Sequence, residues 1–166
     1  VLAPISSSRA EAWEMLRLLH AASALTDHPV IVRTHPTIPV DDLYAQLEWP
    51  PHVRLSRGRP LADDFAESGV VVYSSSMVAL EGLLYGRLPI FLDIGDVPPG
   101  DPMHGAHPFV FRAATGHELA DMLARIDTLG ADELSALREQ GRNYAERYLI
   151  EPTAAAIERM AKIASC

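Results

Sequence analysis

Residues 70–92, VVVYSSSMVALEGLLYGRLPIFL, decide the fold of this chain. The β-branched and aromatic run Val70–Tyr73 predicts a strand that is covered on both faces. Three serines follow where the strand must turn. The apolar segment Met77–Tyr85 predicts a short helix that Gly86 ends. Leu88–Leu92 predicts a second buried strand. A buried strand, a helix and another buried strand in succession are typical of a parallel sheet.

The serine turn Ser74, Ser75 and Ser76 is a candidate phosphate site. Serine hydroxyls beside the unpaired N–H groups of a first helical turn can hold a phosphate without a cationic side chain. Glu81 lies too far along the helix for a capping box, since the position three residues after each serine is Met77, Val78 or Ala79. Its carboxylate can instead accept hydrogen bonds from a ribose. The alternative is that one serine caps the helix and that Glu81 is solvated.

Strands and helices alternate along the rest of the chain as well. Further strands are predicted at Val1–Ile5, His28–Arg33, His52–Ser56 and Phe109–Arg112. Helices are predicted at Arg9–Ala22, Asp41–Leu47, Leu61–Glu67, His117–Leu129, Asp132–Arg147 and Pro152–Ala164. This alternation predicts a single α/β domain over residues 1–166, with a Rossmann-like, doubly wound parallel sheet of about six strands in the order 3-2-1-4-5-6 and helices on both faces.

This strand order predicts a switch point between strands one and four, where ligands bind in such sheets. It brings the serines at positions 6–8 next to the serine turn. His35 lies at the same edge, held in an extended conformation by Pro36, and can hydrogen-bond a base, a ribose or a phosphate. Arg33 precedes it in the same motif.

The segment Arg57-Gly58-Arg59 ends strand three at that edge, where an arginine can bind a phosphate bidentately. The alternative is a surface turn with solvated arginines. The loop after Leu92 carries Asp101, His104 and His107, but an irregular loop gives no firm ligand geometry, so we expect no metal there. A lid or a loop facing another domain is the favoured interpretation of its length.

Composition restricts the function further. The chain has 166 residues, a net charge of −8 and one cysteine, at position 166. The negative charge without a basic stripe argues against a nucleic-acid partner, and a lone cysteine fits a reducing compartment. No apolar run approaches the ~20 residues of a membrane span. Neither a Gly-x-Ser-x-Gly elbow nor a GxGxxG motif is present, which argues against a serine hydrolase and a dinucleotide cofactor.

With these motifs in place, nearly the whole chain resembles the C-terminal, nucleotide-sugar-binding half of GT-B glycosyltransferases. The similarity lies in the buried strand, serine-rich turn, "ALE" helix and glycine stop of residues 70–92, although Leu88 separates Arg87 from Pro89. The Arg-x-His-Pro segment and the serine cluster resemble one subset, the bacterial sialyltransferases, Kdo transferases and related enzymes of polysaccharide or capsule biosynthesis. Tyr73 stands where glycerophosphotransferases usually have aspartate, which argues against a CDP-glycerol substrate.

The resemblance implies specific partners and roles. His35 and Ser74–Ser76 would hold the nucleotide and its phosphate, and Glu81 would contact the ribose. His35 is also a candidate stabiliser of the leaving group. The donor would be a CMP- or UDP-sugar, used without a metal or another cofactor. The acceptor would bind a missing N-terminal domain. The full-length protein would be cytoplasmic and associate peripherally with the inner face of the cytoplasmic membrane.

Two other functions stay open on the sequence. A non-hydrolysing sugar-nucleotide epimerase has the same two-domain architecture. A non-catalytic interaction domain could keep the fold without the chemistry. A phosphoacceptor receiver domain also alternates strands and helices, but it needs acidic residues at the end of its first strand, and Val1–Ser8 has none.

Overall fold

The computed structural model describes residues 1–6, 8–95, 100–103 and 105–149. Within them, the strands are β1 (Leu2–Pro4), β2 (Val30–Arg33), β3 (Val53–Ser56), β4 (Val70–Tyr73), β5 (Leu88–Leu92) and β6 (Phe111–Ala113). The helices are α1 (Arg9–Ser23), α2 (Asp41–Tyr44), α3 (Leu61–Ala66), α4 (Val78–Leu84), α5 (Gly116–Asp127) and α6 (Ala131–Ala145). The helix predicted at Pro152–Ala164 lies outside the described residues.

All six strands form one parallel sheet in the order β3-β2-β1-β4-β5-β6. The predicted α/β doubly wound fold and its strand order are therefore confirmed. Strand β1 lies at the centre, where Leu2 pairs with Ile31 of β2 on one side and with Val71 of β4 on the other. Because the strand order reverses between β1 and β4, the loops after these two strands diverge and leave a cleft at the carboxyl edge of the sheet.

The side chains of each strand alternate between two apolar cores, one on each face of the sheet. The core under α1 and α5 contains Val32 and Val72, and the core under α4 and α6 contains Ile31, Val71 and Tyr73. Both faces are thus covered, which is why the central strands are apolar throughout.

Some element boundaries differ from those predicted. Strand β6 begins at Phe111, because Phe109 is still in the preceding loop, where its ring is buried in the second core. The helix predicted at Asp41–Leu47 is a single turn, Asp41–Tyr44. No helix among the described residues has the length and apolar character needed to cross a membrane.

Candidate functional site

A cleft of about 310 Å³ opens at the switch point, on the carboxyl side of β1, β2 and β4. Its described lining comes from three loops and from helix α4. The residues are Ile5, Ser6, His35, Pro36, Ser75, Ser76, Met77, Val78 and Glu81. Several residues singled out in the sequence, His35, Pro36, two serines of the turn and Glu81, therefore lie around one cavity. Their role in binding stays a prediction.

His35 is held in one ring orientation by the turn that follows it. Its Nδ1 accepts hydrogen bonds from the Thr37 backbone N–H at 3.3 Å and from the Thr37 hydroxyl at 2.9 Å. Because a backbone N–H can only donate, Nδ1 carries a lone pair in this arrangement and the ring proton lies on Nε2. His35 therefore offers the cleft one N–H donor in its neutral form.

The serine turn binds a carboxylate of the protein itself, which the sequence interpretation missed. Glu11 of α1 is 4% exposed. It accepts hydrogen bonds from three serine hydroxyls: Ser6 bonds Oε2, Ser75 bonds Oε1 at 2.7 Å, and Ser74 also bonds Oε1. The predicted neighbourhood of the two serine groups is confirmed for Ser6, whose Oγ lies 3.4 Å from that of Ser75. Ser7 lies outside the described residues.

The sequence around Glu11 has a recognisable motif, but that motif predicts a different hydrogen bond for the Glu11 carboxylate. Ser8-Arg9-Ala10-Glu11 has the spacing of a capping box, in which the glutamate reaches back to the N-cap backbone N–H. Half of that motif forms, since the Ser8 hydroxyl accepts from the Glu11 N–H at 3.5 Å. The Ser8 N–H instead donates to the Ser6 hydroxyl at 3.1 Å. The Glu11 carboxylate is therefore available to accept hydrogen bonds from the hydroxyls of Ser6, Ser74 and Ser75.

Helix α4 begins one residue later than predicted, at Val78, and has seven residues. The N-cap residue is Met77, whose side chain caps no N–H group, and Ser76 before it accepts a hydrogen bond from the Val78 N–H at 3.3 Å. Glu81 is exposed and faces the cleft. Within the described part of the chain, its carboxylate has no ion pair or hydrogen bond. Because it is exposed to solvent, a carboxylate in so apolar a helix needs no partner within the protein.

Arg33, Arg57 and Gly58 do not belong to the described lining of the cleft. Arg33 donates to the buried carboxylate of Asp64 at 2.5 Å and to the Arg59 carbonyl at 3.0 Å. Arg57 pairs with Asp41 at 2.6 Å.

The other two residues of the turn after β3 also have structural roles. Arg59 pairs with Glu67, and Gly58 has a φ of 64°, a conformation that favours glycine. The arginines predicted to bind phosphate thus form ion pairs within the protein.

The described part of the loop after β5 packs against the serine turn. A Cβ placed on Gly100 would lie 2.9 Å from Cβ of Ser75. Asp101 anchors the loop, because it accepts from the Tyr73 hydroxyl at 2.9 Å, from the Met103 N–H at 2.9 Å and from Arg112 at 3.0 Å. Burial and the nearby Asp101 charge raise the pKa of the Tyr73 phenol. These contacts fix the part of the loop next to the cleft.

The residues that the structure describes contain no group of three or more histidine, cysteine, aspartate or glutamate side chains arranged to hold a metal ion. His104 of the loop after β5 lies outside those residues.

No protein-family model matches this chain, and no curated protein is similar to it in sequence. Solved structures do match its fold. The glycosyltransferase SnogD from Streptomyces nogalater has a TM-score of 0.61 at 15% identity, over 87% of this chain and 38% of its own. The calicheamicin glycosyltransferase CalG4 has a TM-score of 0.61 at 16% identity, and the match covers 96% of this chain and 41% of CalG4. The spinosyn forosaminyltransferase SpnP has a TM-score of 0.57 at 14% identity, and the match covers 99% of this chain and 44% of SpnP.

These comparisons confirm the Rossmann-like fold as one found in glycosyltransferases of the GT-B kind. At this identity they establish the fold alone. The chain spans about two fifths of the length of the structures it matches. The His-Pro and serine-cluster subset, and the pairing with an N-terminal acceptor domain, stay predictions.

Proposed function

We propose that this chain is the donor-binding domain of a glycosyltransferase and that the cleft at the switch point binds a nucleotide sugar. One observation carries the proposal: the fold brings His35, the serine turn and Glu81, which are distant in sequence, to one cavity at the carboxyl edge of a parallel sheet. Ligands bind at this place in open α/β sheets. The likeness of the fold to glycosyltransferases supports the same function.

The groups in the cleft suit the parts of a nucleotide sugar. The carboxylate of Glu81 is exposed and has no hydrogen-bond or ion-pair partner among the described residues, so it can accept hydrogen bonds from the two hydroxyls of a ribose. The Nε2–H of His35 can donate to a phosphate oxygen. The Ser76 oxygen accepts from the Val78 N–H, and no acceptor among the described residues takes its hydroxyl hydrogen, which can therefore donate to a phosphate.

In the transfer reaction, the bond between the anomeric carbon and the phosphate oxygen breaks as the acceptor oxygen bonds to that carbon. Negative charge then develops on the departing phosphate, and a donor positioned beforehand stabilises it. His35 is the proposed donor, and it acts by hydrogen bonding rather than by proton transfer. The acceptor hydroxyl must lose its proton to a base, which we assign to the acceptor domain.

The proposal extends to the biological setting that the sequence resemblance implies. The donor is a CMP- or UDP-sugar, used without a cofactor or metal. The product is a surface polysaccharide or glycolipid. The longer protein acts in the cytoplasm, at the inner face of the membrane.

Titration of the chain with CMP, CDP, UDP and GDP, followed by amide NMR shifts, tests the proposed function. We expect one nucleotide to bind at micromolar to millimolar concentration and to shift signals around residues 35 and 74–81. Glu81→Gln and His35→Ala should each weaken binding by about ten- to a hundredfold, the cost of one hydrogen bond to a charged group.

Matched controls are available on the surface. His117 and Glu139 are exposed on α5 and α6 and lie outside the described lining of the cleft. His117→Ala and Glu139→Gln should therefore leave affinity unchanged. If no nucleotide binds at millimolar concentration, the proposed function is wrong. If a nucleotide binds equally well to His35→Ala and Glu81→Gln, it binds elsewhere on the domain.

A further inference from the structure

The buried carboxylate of Glu11 determines the hydrogen-bonding character of one wall of the cleft. A serine hydroxyl has one hydrogen and two lone pairs. Ser6 and Ser75 both direct that hydrogen at Glu11, away from the cavity they line. The Ser75 oxygen therefore faces the cleft as an acceptor, and the Ser6 oxygen, which already accepts from the Ser8 N–H, has one lone pair left for the cleft. Ser74 also donates to Glu11, and it does not belong to the described lining.

The charge on Glu11 acts in the same direction. No arginine, lysine or histidine among the described residues forms an ion pair with this carboxylate, which is held by serine hydroxyls alone. Its negative charge lies one hydroxyl behind the wall and is shielded from water, so screening by solvent is weak. A phosphate placed against Ser6 and Ser75 would meet acceptor oxygens and a buried like charge.

The donors of the cleft lie on other segments. His35, after β2, presents its Nε2–H, and Ser76, before α4, has a hydroxyl hydrogen that no acceptor in the described part of the chain takes. The cleft is thus divided into an acceptor wall, formed by Ser6 and Ser75, and a donor side, formed by His35 and Ser76.

We infer that the acceptor wall binds hydroxyl or amino groups of the ligand, and that the phosphate lies on the donor side. The inference rests on the proposed function and names the orientation of the nucleotide sugar in the same site. It reverses the sequence-based assignment of phosphate to Ser74 and Ser75, because their hydroxyl hydrogens are already used. Glu11 is then a positioning residue: it touches no ligand and sets the direction of the hydroxyls that do.

Affinity measurements with fragments of the ligand test this division. The probes are uridine and cytidine, which both carry ribose hydroxyls and of which cytidine also carries an amino group, inorganic pyrophosphate, and UDP. Ser75→Ala should weaken the binding of the preferred nucleoside by about fivefold, the value of one neutral hydrogen bond. Pyrophosphate should bind to Ser75→Ala within about twofold of the wild-type affinity, because Ser75 offers it no hydrogen.

Glu11→Gln provides the opposite perturbation. It removes the buried charge and supplies an amide that can itself donate to a serine, which releases hydroxyl hydrogens towards the cleft. Pyrophosphate affinity should rise by about tenfold, and nucleoside affinity should fall. The control is Glu14→Gln, three residues along the same helix, where the exposed carboxylate pairs with Arg17 and not with the serines. It should change neither affinity.

The outcomes separate the inference from the function. If nucleotides bind but Ser75→Ala weakens pyrophosphate as much as nucleoside, the acceptor wall is wrong and the proposed function stands. If no nucleoside, nucleotide or nucleotide sugar binds, both the proposed function and this inference are wrong. Should Glu11→Gln fail to fold, as judged by circular dichroism, Ser75→Ala decides by itself, because Ser75 is only partly buried.

Discussion

Replacing Arg33 by alanine should destabilise the fold and leave nucleotide binding intact. Arg33 is the arginine of the Arg-x-His-Pro motif, but its guanidinium bonds Asp64, whose side chain is fully buried. After the replacement, Asp64 keeps a hydrogen bond from Ser56 at 2.7 Å and a distant charge at Arg59, 3.8 Å from Oδ1. Removing one partner of a buried ion pair costs about 3–5 kcal/mol, and the remaining contacts place this case at about 3 kcal/mol.

Urea unfolding, followed by the fluorescence of the two tryptophans, measures this loss. With a slope of about 2 kcal/mol per molar urea, the midpoint should fall by about 1.5 M. Arg57→Ala is the matched control, because Arg57 forms an exposed ion pair with Asp41 and should change stability by less than about 0.5 kcal/mol. Equal effects of the two replacements would refute the assignment of a structural role. So would an Arg33→Ala protein of normal stability that binds nucleotide tenfold more weakly.

Three further changes test the fold and the site. Gly116→Ala should lower thermal stability by about 1–3 kcal/mol, since a Cβ there would lie 2.6 Å from α1, whereas Gly69→Ala meets nothing within 4 Å and should be tolerated. Burial raises the pKa of the Tyr73 phenol in the folded protein, so its contribution to the free energy of unfolding is complete below the unfolded-state pKa of about 10 and is lost as pH rises above that pKa. Absorbance at alkaline pH should show that this phenol ionises only when the protein unfolds. Nitrogen NMR should find the proton of the neutral His35 ring on Nε2. Thr37→Pro, which removes the donating N–H, should lower the preference for that tautomer.

The sequence was sufficient for the fold because the signals for it are local and repeated. Each central strand is a short apolar run such as Val70–Tyr73, and each is followed by a helix that must cover one face of the sheet. Parallel strands joined by right-handed crossovers allow few arrangements, so the strand order followed from the alternation of elements. The ends of the elements were harder to predict from the sequence. Phe109, for example, is apolar because it is buried in a loop, and it does not pair in a strand.

The sequence also identified several residues that share the cleft, since His35, the serine turn and Glu81 all follow the ends of strands or lie in the next helix. It could not decide how charged side chains pair. The sequence placed Arg33 in the donor-binding motif and Arg57 in a candidate phosphate turn, and only the structure showed Asp64 and Asp41 beside them. Ion pairs form between residues distant in sequence, and their partners depend on how the helices pack.

The sequence alone therefore determined that residues 70–92 form a strand, a turn of serines and a helix in the middle of a parallel sheet. Only the tertiary structure decided where the serine hydroxyls point. The first turn of α1 holds Glu11 within hydrogen-bond distance of Ser6, Ser74 and Ser75. A hydroxyl rotates freely and donates to the strongest acceptor within reach, here a buried carboxylate 63 residues away from Ser74 in the chain.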